Sequence, residues 1–137
     1  YEPVMFTALD QNFKKIYHTN VLMCIGDGFA VIALDAIKDA KEKHTVSQKL
    51  KSTGHEIIPI TMEQMNQFAG NMLQVHNNKD EKILVLSQTA YNSLIPAQIE
   101  RLQLHNNHIL TADIPTIERY GGGSVRCMIA EVFLAKK

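Results

Sequence analysis

The sequence predicts a mixed α/β fold, and three observations carry that reading. Short apolar runs of strand length recur along the chain, and turn residues such as Gly26-Asp27-Gly28 and Asn77-Asn78 separate them. The elements arrive in the order strand pair, helix, strand, strand pair, helix, strand, strand. The 137 residues, 45% of them apolar, are the size of one ordinary domain and hold enough apolar side chains for a core. No simple βαβαβ series fits this order, so a doubly wound parallel sheet is not expected. What repeats is a small unit of elements, with negligible letter identity between the two halves.

Residues 1–15 form a charged, weakly alternating lead-in. From Ile16 the pattern sharpens. Residues 17–25 read as a largely buried strand, Gly26-Asp27-Gly28 as a turn, and residues 29–34 as the antiparallel partner. Asp35 is placed to cap the next helix, whose Ala36, Ile37, Ala40, Val46 and Leu50 make a rough apolar stripe up to the stop at Ser52-Thr53-Gly54. A strand at 56–60 follows. Thr61, with Gln64 three residues on, is a capping-box pair for a short helical turn. Past Phe68-Ala69-Gly70-Asn71 come a strand at 72–76, a polar turn at 77–81 and a returning strand at 82–87. Pro96 in a first turn predicts a helix over 96–104, which Asn106-Asn107 ends. The last strands are expected at 108–112 and 125–134, separated by a loop at 115–124.

Composition removes several classes of function. Fourteen Lys and Arg balance fourteen Asp and Glu, so no net field gathers nucleic acid or an anionic membrane. No apolar run approaches the roughly 20 residues of a membrane-spanning helix, and no basic segment followed by an apolar stretch opens the chain. A soluble, cytoplasmic protein is expected. Cys24 and Cys127 form neither a CxxC pair nor a small disulfide framework, which fits a reducing compartment. The chain opens at Tyr1 rather than Met and enters structured sequence almost at once, so a processed chain or a fragment is expected.

The segment Gly121-Gly122-Gly123-Ser124-Val125-Arg126-Cys127-Met128 holds the most chemistry. Three glycines allow close approach of a ligand or of another backbone to peptide N–H groups, and Cys127 follows at the edge of that space. Residue type alone leaves two readings open, a nucleophile beside a pocket or a small buried cysteine behind a flexible loop. Tyr17-His18-Thr19-Asn20 is similarly divided: His18 is either the acid–base partner of a thiolate or a histidine hydrogen-bonded at a strand end. The other histidines form no HExxH-like spacing, so no metal site and no cofactor are expected.

Three segments together, residues 16–23, residues 68–73 and residues 121–128, resemble in that order the C-terminal part of the amidinotransferase/arginine deiminase superfamily, the penteins. The closest likeness is to bacterial amidinotransferase-like hydrolases associated with citrulline use, and it covers the chain from Ile16 to Leu134. The resemblance implies the later ββαβ blades of a five-bladed propeller around a substrate funnel, incomplete in this chain, with residues 1–15 as lead-in and 16–137 as C-terminal blades. It implies that Cys127 attacks a guanidino or ureido carbon and that His18 protonates the leaving amine and then activates water. Asn20, Gly122, Gly123 and Arg126 fall where substrate is bound, and Asn71 where the interior is shaped behind the reacting groups. A thiolate suits this work because a guanidinium carbon is poorly electrophilic.

Several relatives have an aspartate two positions after the histidine, where this chain has Asn20. An uncharged amide matches a neutral ureido group such as citrulline better than a cation. The acids that orient the histidine in such enzymes lie on N-terminal blades, and the nearest acids here, Asp113, Glu118 and Glu131, are not promoted; Glu118 reads as the end of a solvated loop. The expected partners are therefore a small amino acid of citrulline or arginine type, and either a complementary N-terminal chain or a second copy. A silent binding module and a fold-completing fragment are the competing classes.

Overall fold

The computed structural model describes residues 2–130. β2 (Phe29–Ile32) is the middle strand of the first sheet, with β1 (Met23–Gly26) antiparallel on one side and β3 (Glu56–Pro59) parallel on the other. All four of its residues are buried. A strand covered on both faces needs no alternation, which is why Phe29-Ala30-Val31-Ile32 is an unbroken apolar run. The hairpin turns on Asp27-Gly28, and its register sets Cys24 opposite Val31, on the core face. Parallel pairing of β2 with β3 requires a crossover, supplied by α2 (Ala40–Ser52), which buries Val46 and Leu50.

The second sheet repeats the plan. β4 (Leu73–His76) pairs antiparallel with β5 (Lys82–Ser87), β5 pairs parallel with β6 (His108–Ala112), and α4 (Gln88–Ser93) and α5 (Pro96–His105) make the crossover. Each half is thus a ββαβ blade. β1 lies against β4, and one apolar core, with Phe29, Ile32, Ile58, Met72, Leu84 and Leu102 fully buried, runs through both halves.

Polar ties fix one blade to the other. Gln64 of α3 (Met62–Asn66) and Gln98 of α5 exchange hydrogen bonds, Nε2 of each donating to Oε1 of the other at 2.8 and 3.0 Å. Gln64 Nε2 also donates to the Ser93 carbonyl and Gln98 Nε2 to that of Pro59. The predicted capping box is present, with Thr61 Oγ1 accepting from the Gln64 amide and Gln64 Oε1 from the Thr61 amide. Glu56 on β3 accepts from Arg101 Nε and pairs with His105 Nε2, both on α5 and both at 2.6 Å. The hydrogen bond with His105, and then that with Arg101, hold the Glu56 carboxyl below its ordinary range.

Several local expectations are corrected. The strand expected at 17–25 begins only at Met23, because Thr19–Leu22 form a helical turn, α1, capped by the His18 side chain. The apolar letters of residues 21–25 suit a buried helical turn as well as a strand, and the cap decides. Asp35 caps nothing, since Leu34–Ala36 form a 3-10 turn and Ile37 bridges to Ala8 in extended conformation. The helix starts only at Ala40, behind Asp39, whose Oδ1 accepts from the Lys41 and Glu42 amides at 2.8 and 2.9 Å. Residues 88–93 are helical behind a Ser87 cap, too short a stretch to show a period. The loop expected at 115–124 contains α6 (Pro115–Tyr120). Of the strand expected at 125–134, Val125–Met128 form a 3-10 turn, Ile129 and Ala130 are irregular, and the remainder lies outside the described residues. There the Arg126 amide donates to Asn71 Oδ1 (3.0 Å) instead of to a neighbouring strand.

The lead-in packs on the first blade through buried Ala8, with Val4 and Phe6 resting against the core. Among the described residues no helix is long and apolar enough to cross a membrane.

Candidate active site

His18 owes its position to its cap role. Its backbone is extended (φ −147°, ψ 136°), and Nδ1 accepts from the Asn20 N–H at 3.1 Å. A backbone N–H can only donate, so the neutral ring carries its proton on Nε2. The side chain is exposed at the cleft described below.

Cys127 stands on the 3-10 turn behind the glycine loop. Ser124, fully buried, anchors that turn by donating from Oγ to Glu118 Oε1 at 2.7 Å, and Glu118 is itself only 9% exposed. Glu118 is therefore a buried prop for the loop, not the end of a solvated one. Gly122 takes a φ of +70°, and its carbonyl accepts from the Tyr17 hydroxyl at 3.2 Å. A Cβ at Gly123 would lie 2.9 Å from both Cβ and Sγ of Cys127, closer than packed atoms come, so the placement of the thiol requires glycine there. Cys127 is exposed. Cys24 differs: burial pushes its thiol up to about 11, and the opposing pull of the Arg126 charge is the smaller effect. With that value only about one Cys24 in ten thousand is thiolate at neutral pH.

Asn71 joins the two segments. Its Nδ2 donates to Cys127 Sγ at 3.2 Å and to the Asn20 carbonyl at 3.1 Å, while its Oδ1 accepts from the Arg126 amide at 3.0 Å. The Arg126 guanidinium donates to the Met72 carbonyl at 3.2 Å.

His18, Asn20, Asn71, Gly122, Gly123, Arg126 and Cys127 all line one cleft of about 530 Å³. That volume suits an amino-acid-sized ligand. All the site residues singled out in the sequence thus share one cavity. Sequence reasoning missed Tyr17, Phe68, Glu118 and Ser124. Pro115, a first-turn residue, was the available signal that Glu118 sits on a helix facing back to the loop. Among the described residues the cleft wall carries no carboxylate, and no group of three or more His, Cys, Asp or Glu could hold a metal ion. The arrangement offers an accessible thiol, an imidazole, one guanidinium and several fixed amides.

Comparison with known proteins bears on the fold. No curated protein sequence matches the chain. Solved structures do. ArgZ, an arginine dihydrolase from the ornithine-ammonia cycle in cyanobacteria, superposes with a TM-score of 0.65 at 17% identity, over 94% of this chain and 19% of that one. AgrE in complex with ornithine and NAD+ gives 0.63 at 17% identity, over 88% and 15%. A variant N-terminal domain of ArgZ covalently bound to a reaction intermediate gives 0.59 at 17% identity, over 88% and 38%. The chain therefore spans between about one seventh and two fifths of the length of these structures, and at such identity they show the shared fold. A family model described as N,N-dimethylarginine dimethylhydrolase, eukaryotic, matches residues 1–134. The chain belongs to that family, and its two ββαβ blades are part of a pentein fold.

Proposed function

We propose that this chain supplies the nucleophile and the acid–base group of a hydrolase that cleaves a C–N bond of a guanidino group. The observation that carries the reading is the convergence on one cleft of an exposed thiol held by Asn71 and a histidine held by Asn20. The Cys127 thiolate attacks the central carbon and forms a C–S bond. His18, as imidazolium, gives its Nε2 proton to the leaving nitrogen as the C–N bond breaks, and a thiouronium remains on Cys127. The neutral ring then takes a proton from water as the oxygen attacks the same carbon. The C–S bond breaks, thiolate returns, and a ureido product and an amine have replaced guanidine and water.

This cycle sets a requirement on His18. The imidazolium carries a proton on Nδ1, which cannot share the Asn20 N–H, so the contact at 3.1 Å must give way to an acceptor. A carboxylate on Nδ1 meets that need, and the remaining pentein blades, on a complementary chain or a longer form of this one, are its proposed source.

The family description and the solved relatives name arginine-type compounds, which favours a guanidino substrate. One observation favours a ureido substrate such as citrulline: Asn20, uncharged, lines the cleft. Steady-state rates on methylated arginine, arginine and citrulline decide between them, and Asn20→Asp raises the guanidinium-to-ureido ratio if Asn20 faces the substrate head.

The test of the main reading is alkylation of the intact protein by a haloacetamidine, a guanidinium mimic, read by peptide mass. Cys127 is expected to be labelled in strong preference to Cys24, with Cys127→Ser and His18→Gln each abolishing turnover. Slow and equal labelling of both cysteines would instead favour a silent binding module or a fold-completing fragment.

A further inference from the structure

We propose that Asn71 is the positioning residue of the nucleophile: its side-chain amide donates to the Cys127 sulfur, stabilises the thiolate form, and sets its direction of attack. This rests on the reading of Cys127 as nucleophile. The geometry is specific. One amide group meets three partners at once, Cys127 Sγ and the Asn20 carbonyl through Nδ2 and the Arg126 amide through Oδ1, all within 3.2 Å. Nδ2 has two protons and Oδ1 accepts readily, so all three bonds are made together without competition.

The backbone around Asn71 is built to aim that amide. Asn71 is 3% exposed, and its N–H donates to the Phe68 carbonyl at 2.8 Å, closing a tight turn. Phe68, on the cleft wall, takes a φ of +64°, a left-handed conformation that is strained for a bulky residue. Gly70 presses against the end of α1, where an added Cβ would lie 2.6 Å from the Val21 carbonyl oxygen. Strain at one end and close contact at the other leave Asn71 a single direction, and Cys127 lies in it. A hydrogen bond to an ionised acceptor is stronger than one to a neutral acceptor, so the donor favours thiolate over thiol. The bond to the Asn20 carbonyl also carries the histidine segment on the same group, which keeps His18 and Cys127 in register.

The experiment is the pH profile of alkylation by iodoacetamide, a reagent that needs no substrate recognition, in the intact protein and in Asn71→Asp and Asn71→Ala. Asn71→Asp keeps the acceptor for the Arg126 amide but faces the sulfur with an anion. Its Cys127 rate at neutral pH is expected to fall about tenfold to a hundredfold, the span of one charge-assisted hydrogen bond, with the profile displaced to higher pH. Asn71→Ala should fall between the two. Buried Cys24 reports on folding, since it reacts quickly only if the core opens. An unchanged Cys127 profile in a folded variant overturns the inference. If both variants unfold, the side-chain amide NMR signal of Asn71 in the unmutated protein decides: it should move in step with Cys127 ionisation, and a flat response overturns the inference. Haloacetamidine selectivity and turnover are separate readouts, so loss of the hydrolase reading and loss of the Asn71 role are distinguishable.

Discussion

Gly123→Ala perturbs the nucleophile without touching any chemical group. The new Cβ falls 2.9 Å from both Cβ and Sγ of Cys127, whereas carbon atoms pack no closer than about 3.5 Å, so about 0.6 Å must be found. Sγ can swing aside, but only by leaving the Asn71 amide now 3.2 Å away. The Cys127 Cβ can move only with its backbone, which is held by the bond from the Cys127 amide to the Ser124 carbonyl (3.0 Å) and by the neighbouring Arg126 amide on Asn71. Misplacement of a reacting group by about 1 Å costs about a hundredfold, so a shift of this size should cost roughly tenfold to a hundredfold, or about 1.4–2.7 kcal/mol of transition-state stabilisation. Fold stability should change less, by about 1 kcal/mol or under, because the loop is exposed and alanine restricts the unfolded chain. The assay is the second-order rate of haloacetamidine labelling at Cys127, with kcat/KM of the intact protein beside it and denaturant unfolding as control. A variant that labels and turns over at the unmutated rate would refute the claim that Gly123 sets the position of the thiol.

Two further predictions concern the ties between blades. Gln64→Leu removes one half of the reciprocal amide pair and leaves Gln98 only the Ile95 amide and the Pro59 carbonyl, so it should destabilise the fold by about 2–3 kcal/mol in urea unfolding, and the Gln64→Leu, Gln98→Leu double variant should lose less than the sum of the singles; additive losses refute the coupling. Glu56→Gln should cost about 0.5–1 kcal/mol at neutral pH, a modest value because the carboxylate is 37% exposed. Since the folded Glu56 carboxyl is held below its ordinary range, its contribution is fully present above about pH 4.3 and is lost as pH falls through the lowered folded value; the two stability curves should therefore converge in acid, and parallel curves would contradict it.

The sequence was most informative where local chemistry and tertiary demand agree. The hairpin at Asp27-Gly28, the Thr61–Gln64 box and the stop after Ser52 each follow from residues within a few positions of one another, and the structure keeps them. It was least informative where a distant partner decides. Ile37 is drawn out of the helix by Ala8, and the 125–128 segment is drawn out of a strand by an asparagine more than fifty positions away. Glu118 looked solvated because a carboxylate next to Arg119 and Tyr120 usually is, and only the Ser124 hydroxyl that it accepts from explains its burial. The cleft residues were found as motifs, but the role of Asn71 as their common hinge was invisible, since no spacing rule links residues 20, 71 and 127.

The repeat of the fold explains why those three meet. His18 caps the turn that enters the first blade, just before β1, and Asn71 ends the turn that enters the second, just before β4. Cys127 stands at the equivalent place after the second blade, beyond β6 and α6, where a next unit would be entered. Strand residues commit their N–H and C=O groups to the sheet, so only these entry segments can turn backbone groups inward, as Asn20, Gly122 and Arg126 do. Successive blades around an axis bring successive entries to the same central point, and functional groups placed there converge from sites far apart in sequence. The proposed carboxylate for His18 Nδ1 follows the same rule. It belongs at the entry of another blade, so adding the remaining pentein blades should raise turnover while leaving the iodoacetamide reactivity of Cys127 set by Asn71.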